Sequence, residues 1–172
     1  MLCELYIENL AVIEKAGISL REGLNVFTGE TGAGKSIVID AINAILGHRV
    51  SREVVRHGAA KARITASFRE LPPRAVAKLA EYGYEPEEGE ITIMREIFAD
   101  AKSSARISGR PVTVGILREI GTELINIHGQ HDNQVLLAPE RHMEILDRYG
   151  DLSVPLEEYT DCYRNVVRIK RE

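Results

Sequence analysis

The sequence predicts an α/β fold in which a mixed β-sheet surrounds a phosphate-binding helix, and three observations predict it. Gly29, Gly34, Lys35 and Ser36 satisfy the spacing G-x-x-x-x-G-K-[ST] of a P-loop. An apolar run, Leu24, Val26 and Phe27, precedes the loop, and a helical pattern of Ile37, Val38, Ala41, Ile42, Ile45 and Leu46 follows it. Segments of strand-like alternation flank this unit on both sides.

The chemistry of the loop explains its spelling. Glycines 29, 32 and 34 let the backbone wrap and bring its N–H groups to phosphate oxygens, at the positive end of the following helix. Lys35 reaches the β- and γ-phosphates as a point charge, and the Ser36 hydroxyl is placed to ligate Mg²⁺. The candidate nucleotide-binding residues are therefore Gly29, Glu30, Thr31, Gly32, Ala33, Gly34, Lys35, Ser36 and Ile37, with ATP and Mg²⁺ as the expected cofactors.

Composition narrows the class without naming it. A chain of 172 residues, 44% hydrophobic and 28% charged, has room for one core and an appendage. A net charge of −4 neither names nor excludes a nucleic-acid partner. Cys3 and Cys162 fit no metal-ligand spacing and no disulfide framework, and read as two free thiols in a reducing compartment. Glu4, Glu8 and Glu14 interrupt any opening signal peptide, and no run approaches the roughly 20 apolar residues needed to cross a bilayer. The expectation is a cytoplasmic protein with no membrane partner.

Taken in order, residues 2–10 and 12–20 read as two strands, and Arg21, Glu22 and Gly23 turn the chain into the strand feeding the P-loop. Tyr6 is either a strand packing residue or a stacking platform for an adenine ring. Gly47 ends the P-loop helix. His48, Arg49, Arg52, Arg56, His57, Lys61 and Arg63 then form the most basic stretch, either a solvated face or a phosphate contact. Residues 62–68 alternate as a strand. Pro72 and Pro73 open a helix to about Tyr82 with Val76, Leu79 and Ala80 on one face, closed by Gly83.

Residues 85–90 read as an acidic surface turn, 91–98 as a strand and 105–107 as its partner, followed by a turn at Ser108, Gly109, Arg110 and Pro111. A short helix over 113–120 is expected to stop at Gly121, and 124–127 to form a short apolar strand. That strand delivers a polar loop, His128, Gly129, Gln130, His131, Asp132, Asn133 and Gln134, at a strand end where open α/β sheets place ligands. The loop is read either as a ligand site, with His128, His131 and Asp132 as a transition-metal alternative, or as a turn bonding its own backbone. A helix over 139–149 ends at Gly150. A charged helix over 154–172 has heptad-like apolar spacing but fewer than three heptads.

The stretch GLNVFTGETGAGKSIVIDAINAILGHR, together with LINIHGQHDNQVLL and PERHMEILDRYG, resembles the RecN family, bacterial DNA double-strand-break repair ATPases related to the SMC proteins. The resemblance runs over essentially the whole chain. It implies an ABC-type ATPase head: residues 1–150 as the N-terminal part of the head, carrying P-loop and Q-loop, and 151–172 as the start of a coiled-coil helix. Residues 29–36 correspond to the family's Walker A motif. Gln130 corresponds to the Q-loop glutamine, which would contact Mg²⁺ and the attacking water, with Gln134 as the other candidate for that position. Lys35 and Gln130 are thus the catalytic candidates, and Ser36 and Gln130 the metal ligands.

The resemblance also implies DNA and a second RecN-like head as partners, and a nucleoid-associated bacterial protein. Walker B, signature and switch-histidine motifs are not found in the sequence. In this family they lie beyond a long coiled coil, so the chain is expected to be an N-terminal piece that binds ATP without turning it over, lacking its general base. The missing C-terminal half of the head, or self-association, would cover its P-loop strand. Two alternatives stand beside this ATPase reading: a nucleotide-dependent dimerisation module without turnover, and a different P-loop enzyme such as a small-molecule kinase.

Overall fold

Alternation of period two builds the sheet. The computed structural model describes residues 1–28, 34–127, 142–143, 146–147 and 149–170. It divides into two compact units, Met1–Asn126 and Ile127–Glu172. In the first, strands β1 (Leu2–Leu10), β2 (Ile13–Ser19), β3 (Lys61–Phe68), β4 (Ile91–Phe98), β5 (Ser104–Ile107) and β6 (Arg110–Val112) form one sheet. Its order is β2-β1-β3-β4-β5-β6, and every described pairing is antiparallel.

One face of this sheet is apolar and buried. Leu5 and Ile7 of β1, Ala62, Ile64, Ala66 and Phe68 of β3, Ile91, Ile93 and Ile97 of β4, and Ala105 and Ile107 of β5 all point to it. Helices α1 (Lys35–Ile45), α2 (Pro73–Glu81) and α3 (Val114–Leu124) contribute Val38, Ala41, Ala44 and Ile45, Ala75 and Leu79, and Leu117 and Ile120 to the same core. Each fully buried Leu, Ile or Phe contributes about 1.5–3 kcal/mol relative to exposure, so this single layer interface holds the unit.

The opposite face carries a row of alternating charge. Register places Lys15 beside Glu8, Glu8 beside Arg63, and Arg63 beside Glu96 across four strands. The Lys61 ammonium donates to Glu96 Oε1 at 2.6 Å and Arg63 Nη2 lies 3.3 Å from it. Those bonds hold the Glu96 carboxyl below its ordinary range, the Lys61 hydrogen bond contributing most. Tyr6 lies on this face with the Lys15 ammonium 5.7 Å from its ring centroid.

Several expected elements differ. Residues 24–28 form no strand: the Asn25 side chain bonds back to Arg21, accepting from its N–H at 3.1 Å and donating to its carbonyl at 2.7 Å, and no described strand lies alongside to take the backbone groups. On α2 the buried stripe is Ala75 and Leu79, while Val76 is 39% exposed and Ala80 faces solvent. Pro111 sits within edge strand β6, where its missing N–H faces away from the ladder. Helix α3 runs through Gly121 to Leu124, and 125–127 form no strand.

In the second unit, α4 (Ser153–Ile169) bears out the expected charged helix, opened by Pro155 in its first turn. Leu156, Tyr159, Tyr163 and Val166 recur at heptad spacing and are exposed, with the rings of Tyr159 and Tyr163 stacked at 6.3 Å. Among the described residues no helix is long and apolar enough to cross a membrane.

Candidate functional site

The candidate site is built at the start of α1. Gly34 occupies its N-cap and begins the hydrogen-bond ladder, accepting from the Val38 N–H at 3.0 Å. Gly34 has no side chain to bond the first-turn N–H groups, and no acidic residue lies in that turn. An anion at this helix end would meet the positive end of the macrodipole. Among the described residues, a Cβ on Gly34 would meet nothing within 4 Å.

Lys35 and Ile37 are half-buried, and Ser36 is exposed at the same helix end. The lysine and the serine hydroxyl thus sit together on the first turn, as phosphate and metal binding require. Gly29, Glu30, Thr31, Gly32 and Ala33 lie outside the described residues, as do Gln130, Gln134, His128, His131 and Asp132. Among the described residues no group of three or more His, Cys, Asp or Glu could hold a metal alone.

The rear of α1 is fixed with equal care. Gly47 adopts φ +84 after the helix, and its N–H donates to the Ala44 carbonyl at 3.1 Å. Gly121 of α3 lies against Leu46 so closely that a Cβ there would come within 2.5 Å of the Leu46 carbonyl oxygen. From the sheet, the Arg95 guanidinium reaches the Ala44 carbonyl at 3.4 Å and Ser103 Oγ at 3.2 Å. Arg95 is only 3% exposed, and burial lowers its pKa. Sequence reasoning passed over Arg95 and misread Gly121. A charged residue at the inward parity of Ile91, Ile93 and Ile97 was the signal available for the first.

Of the basic stretch, three groups have structural partners. Arg56 Nη1 donates to the Val12 carbonyl at 2.8 Å and its backbone N–H to Asn9, pinning the segment after the 3-10 turn Arg52–Val54 to the β1–β2 turn. Lys61 and Arg63 serve Glu96. Arg49, Arg52 and His57 are exposed.

A helix headed by the G-x-x-x-x-G-K-S spelling and packed on one face of a sheet is the arrangement of the P-loop class of domain. A family model described as an AAA domain matches residues 4–160, and the chain belongs to that family. Over its whole length it is 45% identical to the DNA repair protein RecN of Halalkalibacterium halodurans and 43% identical to that of Bacillus subtilis. Over 96% of its length it is 39% identical to RecN of Streptomyces coelicolor. The chain spans 31%, 30% and 30% of the length of these relatives.

Solved structures share the fold. A chain from work on ATP-driven dimerization and DNA-stimulated activation of SMC ATPases superposes with TM-score 0.61 at 22% identity, covering 85% of this chain and 97% of that one. The Smc head domain of Pyrococcus yayanosii gives 0.62 at 20% identity, covering 98% of this chain and 37% of that one. The recombination mediator RecF gives 0.54 at 17% identity, over 68% of this chain and 29% of that one.

Proposed function

We propose that this chain is the ATP-binding head segment of a RecN-like DNA repair ATPase, with residues 1–150 as head and 151–172 as the start of a coiled coil. The observation that carries the reading is Gly34, Lys35 and Ser36 at the uncapped N-terminal turn of α1, in a chain related over its length to RecN. Lys35 neutralises the β- and γ-phosphates, and the first-turn N–H groups bind phosphate oxygens. Ser36 and Gln130 would hold Mg²⁺, which supplies charge neutralisation on the phosphates when bound. Gln130 orients the attacking water through its neutral amide. Glu30, Thr31, Gly32, Ala33 and Gly29 complete the loop.

In the whole protein, engagement of two such heads closes the site around ATP, hydrolysis separates them, and DNA is the substrate of the cycle. The exposed apolar stretch Leu24, Val26 and Phe27, 90%, 70% and 46% accessible, supports cover from the rest of the head. The segment alone then binds nucleotide without turnover, in a cytoplasmic, nucleoid-associated setting.

Calorimetry of ATP with Mg²⁺ on the chain and on Lys35→Ala, with a turnover assay on the same samples, tests this. Binding lost in the variant and no turnover in either is the expected result. Rapid turnover by the chain alone would place a general base within these residues and sink the reading.

A further inference from the structure

Arg95 stands where the sheet would be most stable with an aliphatic residue. Its neighbours at the same parity of β4, Ile93 and Ile97, are fully buried, and an isoleucine at 95 would continue the row without desolvating a charge. The arginine leaves its Nε buried and without a hydrogen-bond partner among the described residues. No carboxylate among the described residues forms an ion pair with it. What the guanidinium does reach is the Ala44 carbonyl in the last turn of α1, at 3.4 Å, and Ser103 in the β4–β5 connection, at 3.2 Å.

The last turn of α1 has no basic residue of its own. A cation placed there by β4 meets the negative end of the macrodipole and is a second donor to the Ala44 carbonyl, which also accepts from the Gly47 N–H at 3.1 Å. It therefore ties the rear of the helix to the centre of the sheet. Lys35 and Ser36 stand at the front of the same helix, nine and eight residues before Ala44, and Val38, Ala41, Ala44 and Ile45 between and behind them are packed in the core.

We propose that Arg95 is a positioning residue for the nucleotide phosphates: by anchoring the Ala44 end of α1 to β4 it fixes the direction in which the Gly34–Lys35–Ser36 end presents its donors. The proposal rests on the nucleotide-binding reading. The hydrogen bond gives the Ala44 end of α1 a fixed point on β4. Its loss lowers the binding-competent fraction, and with it apparent affinity, by up to about tenfold.

The test compares Arg95→Met, Arg95→Lys and a control, Ile107→Val, which removes one methylene from the core on β5. Each full chain is measured for thermal midpoint without ligand and for the Kd of ATP with Mg²⁺. Arg95→Met is expected to keep a midpoint near that of the parent and to bind ATP up to about tenfold more weakly. Arg95→Lys, which keeps the cation, should recover part of the affinity, and Ile107→Val should shift the midpoint while leaving Kd unchanged. Parent-like affinity in Arg95→Met overturns the proposal, as does a loss of affinity that merely tracks midpoint across all three variants. A parent chain that binds no ATP overturns the nucleotide reading and this proposal together. A parent that binds and depends on Lys35, beside an unaffected Arg95→Met, overturns this proposal alone.

Discussion

A Cβ at Gly121 would stand 2.5 Å from the carbonyl oxygen of Leu46 and 2.9 Å from its Cα, so α3 crosses the end of α1 at backbone contact. That crossing fixes the sign of a substitution. In an open helix interior, Gly→Ala gains about 1 kcal/mol from propensity. At Gly121 the methyl meets unyielding backbone, and overpacking of about 1–3 kcal/mol outweighs the gain. Gly115, on the same helix, has only Thr113 Oγ1 at 4.0 Å from its ideal Cβ. Denaturant unfolding should show Gly121→Ala destabilised and Gly115→Ala stabilised; stabilisation by both would refute the close crossing.

Glu96 links charge on the outer face to acid stability. Lys61 and Arg63 hold its carboxyl below the ordinary value of 4.5, so the folded state binds this proton less readily than the unfolded chain. The stabilisation is complete above that ordinary value and is lost as pH falls through the depressed folded pKa. Glu96→Gln should therefore cost about 1 kcal/mol near neutral pH and progressively less in acid. Urea midpoints of parent and variant, compared at about pH 7 and about pH 3, check whether the two converge.

Ser36 is exposed beside Lys35 on the first turn of α1. If its hydroxyl ligates the metal, Mg²⁺ should strengthen ATP binding in the parent and add little in Ser36→Ala, while binding in chelator stays alike in both. Calorimetric titrations with and without Mg²⁺ measure this directly, and an undiminished Mg²⁺ effect in the variant would remove Ser36 from the metal site.

Val26 is 70% exposed in the described unit. Val26→Ser should leave thermal stability within about 0.5 kcal/mol of the parent, because no described packing is lost. It should lower the binding of a hydrophobic dye and reduce self-association in sedimentation, since an exposed apolar stretch is a contact surface. A large fall in stability would show that the stretch is packed.

Strands β1, β3 and β4 were legible because alternation over eight or nine residues has one reading when one face is buried. The loop spelling G-x-x-x-x-G-K-S likewise located the start of the helix that carries Lys35 and Ser36. The strand expected at 24–28 was not legible correctly from its own residues. An apolar run becomes a strand only when a neighbour takes its backbone groups, and the described sheet offers none there. Gly121 reads as a helix stop in one dimension and as a contact with Leu46 in three.

The sequence by itself determined the period of each long element, the start of the helix after the glycine-rich loop and the kinship with RecN, because these depend on local spacing and side-chain type. Only the tertiary structure decided that β1 lies between β2 and β3 and that Arg95 meets Ala44. It also decided that Gly121 is a crossing point. Each of those joins residues distant in the chain, and no local preference encodes which distant partner a buried group will find.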